Sequence, residues 1–152
     1  DEFHPAANVA KMSRGVPLTD EDRWPWLEAL RDWMSARAAE GVGTIVTCSA
    51  LKRSYRDLLA GAAGRVFFIH LVARTDELRE RMTHREGHFM PSSLLPSQLA
   101  DLEPLADDED GVTVTSRPTP EQTLEAILAA LETADAAGNA TTSTAASASA
   151  GL

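Results

Sequence analysis

The sequence holds one cysteine, one tyrosine and two lysines in 152 residues, and only 5% of it is aromatic. Cys48 alone cannot form an internal disulfide, and no Cys or His lies near it at the spacing of a structural zinc site. A reducing cytoplasm is the expected location. Basic side chains are also scarce, 14 Lys plus Arg against 23 Asp plus Glu, for a formal charge of −9. That balance repels phosphate backbones and anionic lipid, which argues against nucleic acid or a membrane surface as partner. No apolar run approaches the roughly 18 residues of a membrane span, and no basic-then-apolar leader opens the chain. The first residue is Asp1, not Met, and it opens a motif described below, so the N-terminus reads as a cut edge.

What is present is an ordinary globular composition, 43% hydrophobic and 24% charged, at a length that suits one domain. From Thr133 to Leu152, fifteen of twenty residues are Ala, Ser or Thr without apolar period. Such a segment buries too little to offset its ordering entropy, and it is expected to be a disordered tail after a folded part spanning 1–132. Three β-branched or aromatic runs read as buried strands: Thr44 to Cys48, Val66 to Leu71 and Val112 to Thr115. Thr19 followed by three acids opens a helix whose apolar face is Trp26, Leu27, Leu30, Trp33 and Met34. Further helices are expected over 51–60, 76–85, 96–102 and 120–131. Alternating strands and helices imply an α/β fold with a parallel sheet covered by helices, although three strands are few for one.

Some residues point to chemistry by position. His4, Asn8 and Lys11 share one helical face after Pro5, which offers donors, acceptors and a cation, or simply a solvated polar face. Arg23 sits in the first turn of its helix, where the dipole disfavours a cation without an anion nearby. It is therefore a candidate carboxylate clamp, unless it pairs with Asp20 or Asp22. Ser49 follows a strand directly, at the sheet end where α/β folds bind ligands. Lys52, Arg53, Tyr55 and Arg56 then put four donors at a helix start, one or two of them facing substrate or phosphate. Cys48 reads as a small apolar residue, not a nucleophile. His84 and His88 in H-R-E-G-H miss the H-E-x-x-H zinc spacing, and Gly87 breaks the helix between them, so no metal site is expected there.

Four segments occur in order: D-E-F-H-P-A-A-N-V-A-K-M, P-L-T-D-E-D-R-W-P-W-L, C-S-A-L-K-R-S-Y-R-D, and R-E-G-H-F-M-P with S-Q-L-A-D-L-E-P. Together they resemble the bacterial gluconokinase family, ATP-dependent kinases of D-gluconate with a P-loop, nucleoside-monophosphate-kinase-like fold. The resemblance covers Asp1 to about Leu131. It implies ATP and Mg²⁺ as cofactors and transfer of the γ-phosphoryl group to gluconate. It also implies Asp1 as the acceptor for the attacking hydroxyl and His4 as a substrate ligand. Arg81 would stack on adenine, and Arg85, in a lid with Gly87, His88 and Phe89, would reach the phosphates. Gln98 matches a substrate position and Pro118 the proline on the adenine face, while Arg117 departs from the usual polar residue. Without the resemblance, the Arg-rich stretch reads as a charged helix face, Gln98 as a surface side chain and Asp1 as a frayed end.

The family opens with a strand, a G-x-x-x-x-G-K-[ST] phosphate loop, a helix and a second strand. None of the nine glycines here precedes a lysine, so no such loop lies in these residues. In the related fold the first strand lies between those matching Thr44 to Cys48 and Val66 to Leu71. The expectation is thus a gluconokinase-type chain without its phosphate cradle. The alternative is a non-catalytic sugar-acid binding or dimerisation module. A homodimer is compatible with either.

Overall fold

A computed structural model describes residues 2–84 and 90–148. The expectations placed on Asp1, Arg85 and His88 lie outside the described residues. The fold is α/β, and the described residues form two parallel strands together with helices. The single domain expected from length resolves into two compact units. One comprises residues up to Phe67 with Arg74–Ala106, the other Phe68–Ala73 with the chain from Asp107 onward.

In the first unit, α1 (Ala6–Ser13) follows Pro5, which leads in with extended backbone. Both α1 and the next helix, α2 (Asp20–Ala39), stop in the same way. Gly15 (φ 71°) and Gly41 (φ 75°) take the left-handed conformation that L residues avoid. The two N–H groups after each helix then bond back to its last turn: Gly41 to Ala38 and Val42 to Arg37, Gly15 to Met12 and Val16 to Lys11. At its start α2 has the expected cap, with the Thr19 hydroxyl accepting from Asp22 N and the Asp22 carboxylate accepting from Thr19 N. Trp26, Leu27 and Leu30 are buried as its pattern predicts, while Trp33 and Met34 are half-buried and Trp33 meets Phe3 edge-on.

Helix α2 packs on α3 (Arg53–Ala60), whose Tyr55 and Leu59 complete this core. After α4 (Thr75–His84), a 3-10 turn at Ser92–Leu94 leads into α5 (Leu95–Asp101). Leu94 joins Met12 and Leu18 in a second buried cluster.

The second unit pairs β1 (Phe68–Val72) with β2 (Gly111–Thr115) in parallel register, Phe68 beside Gly111 and Val72 beside Thr115. Both strands lie where the β-branched runs predicted them, β1 shifted by one or two residues. Helix α6 (Pro120–Ala148) packs on β2 and continues past Leu131, where the expected helix ended. Its alanines, the strongest helix formers, carry it into the segment read as tail.

The strand expected over Thr44 to Cys48 is not borne out by the structure. No strand forms there, and Ile45 is 98% exposed. A strand is made by its ladder, and no described strand pairs with this segment. Ile69 and Leu71, two apart on one face of β1, are exposed.

Candidate active site

A cleft in the first unit is lined on one side by the start of α2 and on another by α5, and it has both polar and apolar walls. Of the residues singled out in the sequence, His4, Arg23, Ser49 and Gln98 line it. They come from four separate stretches of chain, and folding of this unit brings them together. Trp26, Leu94 and Met90 give the cleft its apolar wall.

His4 lies flat on Trp26, with ring centroids 4.1 Å apart and 18° between planes. Burial and the nearby Arg23 charge hold its pKa below the usual imidazole value. A neutral ring keeps one donor and one acceptor nitrogen, as recognition of a hydroxyl requires. Gln98 donates from Nε2 to the Met90 sulfur at 3.2 Å, a weak partner that a better acceptor can replace.

Arg23 is 6% exposed. Neither neighbouring acid of its own helix holds it: Asp22 takes Lys11, and Asp20 takes Lys52 at 2.8 Å. Instead Nη1 donates to the Tyr55 hydroxyl at 3.2 Å and Nη2 to Asp101 Oδ2 at 3.3 Å. The Tyr55 hydroxyl in turn donates to Asp20. Hydrogen bonds from Lys52 and then Tyr55 hold the Asp20 carboxyl below its ordinary range, while burial and then Asp20 push the Tyr55 phenol up.

Three of the expected substrate ligands meet partners within the protein. Lys52 pairs with Asp20, and Tyr55 is wholly buried in the core with its hydroxyl committed. Arg56, also 6% exposed, donates to the carbonyls of Ala50, Leu51, Glu103 and Pro104 and ties the chain after Cys48 to the chain after α5. A helix start rich in donors was legible in the sequence, but not which acceptors it would meet. Asn8 and Lys11 likewise fasten α1 to α2, through the Asp22 carbonyl at 2.7 Å and its carboxylate. The sequence reading offered Asp20 only as a partner of Arg23, not of Lys52 and Tyr55, and it missed Asp101. Asp101 belongs to the S-Q-L-A-D-L-E-P motif, and that was the only signal available.

Arg81 is exposed on α4 of the first unit, and Pro118 follows β2 in the second. Cys48 is half-buried, and burial pushes its thiol up to about 12, which leaves it protonated and a poor nucleophile at neutral pH. Among the described residues no group of three or more His, Cys, Asp or Glu could hold a metal ion.

No protein-family model matches the chain. Solved structures do match. An unliganded sugar kinase from Janibacter sp. HTCC2649 superposes with a TM-score of 0.81 at 55% identity, over 87% of this chain and 76% of that one. A gluconokinase from Sinorhizobium meliloti 1021 gives 0.73 at 45% identity, over 89% and 76%. These neighbours define the class: a P-loop kinase-like α/β fold. Among relatives, the gluconokinase of Gluconobacter oxydans is 51% identical over 128 residues, which is 84% of this chain and 72% of that protein. The thermosensitive gluconokinase of Escherichia coli is 44% identical over 115 residues, 75% of this chain and 62% of that protein. The chain belongs to the gluconokinase family, and hence to a family of kinases that act in carbohydrate metabolism.

Proposed function

We propose that the first unit holds the sugar-acid site of a gluconokinase, which moves the γ-phosphoryl group of Mg-ATP to D-gluconate and yields 6-phospho-D-gluconate. The observation that carries this is a cleft shared by a nearly buried guanidinium, Arg23, and the neutral polar groups of His4, Ser49 and Gln98. One fixed cation with several hydroxyl partners is the recognition that a polyhydroxy carboxylate needs.

In this reading Arg23 grips the carboxylate and His4, Ser49 and Gln98 take hydroxyls. Asp1 accepts the hydrogen bond of the attacking terminal hydroxyl, and Arg85 meets phosphoryl charge in the transition state. The family resemblance assigns Arg81 and, separately, Pro118 to adenine, and His88 to the substrate. Mg²⁺, when bound with the nucleotide, neutralises phosphate charge. Lys52, Tyr55 and Arg56 act from behind the site. The enzyme works in the cytoplasm on a small molecule, as a monomer or homodimer.

The second reading, a gluconate-binding module that does not turn over by itself, is favoured by the absence of any Gly-Lys pair in these residues. Calorimetric titration with gluconate and an assay of gluconate-dependent ADP release, run on the same preparation, separate the two. Binding with turnover supports the kinase, and binding without turnover supports the module. No binding of gluconate at all refutes the sugar-acid site.

A further inference from the structure

The carboxylate clamp proposed above depends on where one buried guanidinium points. Arginine has five N–H donors in a rigid plane, and that plane can rotate about the end of a long stem. A clamp that must be ordered afresh at each binding event loses affinity to the entropy of ordering. Arg23 is anchored at both nitrogens of its fork. Asp101, the Nη2 anchor, is 37% exposed, and its bond is long at 3.3 Å. The Nη1 anchor is different: Tyr55 is entirely buried, and its ring also lies under the guanidinium, 5.5 Å from centroid to Cζ.

A phenol hydroxyl can donate or accept, so by itself it fixes no direction. Here its one hydrogen goes to Asp20, which Lys52 holds in turn from Nζ. With the hydrogen so placed, the oxygen presents a lone pair to Arg23, and this relay leaves the remaining guanidinium donors for the cleft that Arg23 lines. Every member is a side chain from the start of α2 or α3, so the relay is built on packed helices.

We propose that Tyr55, polarised by Asp20, is a positioning residue that aims Arg23 at the carboxylate of the substrate, and so sets the preference of the site for a sugar acid over the matching neutral polyol. The assignment rests on the proposed sugar-acid site. Tyr55→Phe keeps the ring and its packing and removes only the hydroxyl that joins Arg23 to Asp20.

The test compares full-length wild type and Tyr55→Phe, each titrated with D-gluconate and with D-glucitol, which has the same carbon chain with a hydroxymethyl group in place of the carboxylate. The variant is expected to bind gluconate about tenfold more weakly, the scale of one charge-assisted hydrogen bond, while its affinity for glucitol is unchanged. The glucitol titration thereby serves as the control that the cleft is still formed. In ¹H–¹⁵N spectra the Arg23 side-chain signals should show freer rotation of the guanidinium in the variant. If wild type binds gluconate and Tyr55→Phe leaves the gluconate-to-glucitol ratio unchanged, or lowers both affinities together, the positioning role is wrong while the site stands. Unchanged Arg23 rotation also overturns it. If wild type binds no gluconate, both the site and the positioning role fall.

Discussion

Arg56 tests whether the first unit is held together by the joint behind its cleft or by its apolar core alone. Its Nη1 lies 3.2, 3.3 and 3.0 Å from the carbonyl oxygens of Ala50, Leu51 and Glu103, and its Nη2 lies 3.2 Å from that of Pro104. Glu103 N donates back to the Leu51 carbonyl at 2.8 Å, and the Glu103 carboxylate accepts from Arg53 N at the open end of α3. The guanidinium thus bridges two irregular stretches that no sheet ladder fixes. Arg56→Met keeps most of the stem and removes the charge and all donors. A hydrogen bond to a charged group is worth about 1.5–3 kcal/mol net. Two hydrogens on Nη1 cannot serve three carbonyls fully, and the variant escapes the cost of burying a charge. A net loss of about 3 kcal/mol follows, more than a hundredfold in the folding equilibrium.

Urea unfolding followed by tryptophan fluorescence is the assay, because Trp24, Trp26 and Trp33 all lie on α2 of this unit. Arg56→Lys should recover only part of the loss, since an ammonium cannot present a planar fork to four carbonyls. A loss below about 1 kcal/mol for Arg56→Met, with an unchanged denaturant slope, would refute the reasoning.

Three further outcomes follow from the geometry. Gly41→Ala should cost about 1 kcal/mol in the same assay, because the residue sits at φ 75° with no atom within 4 Å of an added Cβ, so the penalty is purely one of backbone conformation. Ile45→Asn should change stability by less than about 0.5 kcal/mol, whereas an isoleucine buried in a central strand would cost several; a loss above about 2 kcal/mol would show that this side chain packs after all. The folded-state pKa of His4 is depressed, so the unfolded chain takes the proton first. The stabilisation is present above the unfolded value near 6.5 and is lost as pH falls from there toward the folded value. Between about pH 7.5 and about pH 5.5 wild type should therefore lose more stability than His4→Phe, which keeps a ring on Trp26, and equal losses would contradict the burial of His4. The contributions of Asp20 and Asp22, whose pKa values are also depressed, are present above about pH 4 and fade only below it, outside that window.

Local chemistry was legible in the sequence wherever neighbours in the chain decide the outcome. The Thr19–Asp22 cap needs only two residues three apart. The apolar stripe of Trp26, Leu27 and Leu30 and the β-branched runs of β1 and β2 likewise follow from period and side-chain shape. The four ordered motifs placed the chain in its family, and each contains one of His4, Arg23, Ser49 and Gln98, which the fold gathers at one cleft.

Tertiary structure decided whatever depended on a partner distant in sequence. Thr44 to Cys48 has the composition of a strand and is not one, because a ladder requires a neighbour that composition does not supply. Lys52, Tyr55 and Arg56 were readable as donors, but a donor's role is set by its acceptor. The acceptors were Asp20, thirty-two residues before Lys52, and the carbonyls of Glu103 and Pro104, nearly fifty residues after Arg56. Arg23 was legible as a cation in want of an anion. Only the packing of α2 on α3, with α5 alongside, turned it from the adjacent acids to Tyr55 and Asp101, and so toward the cleft.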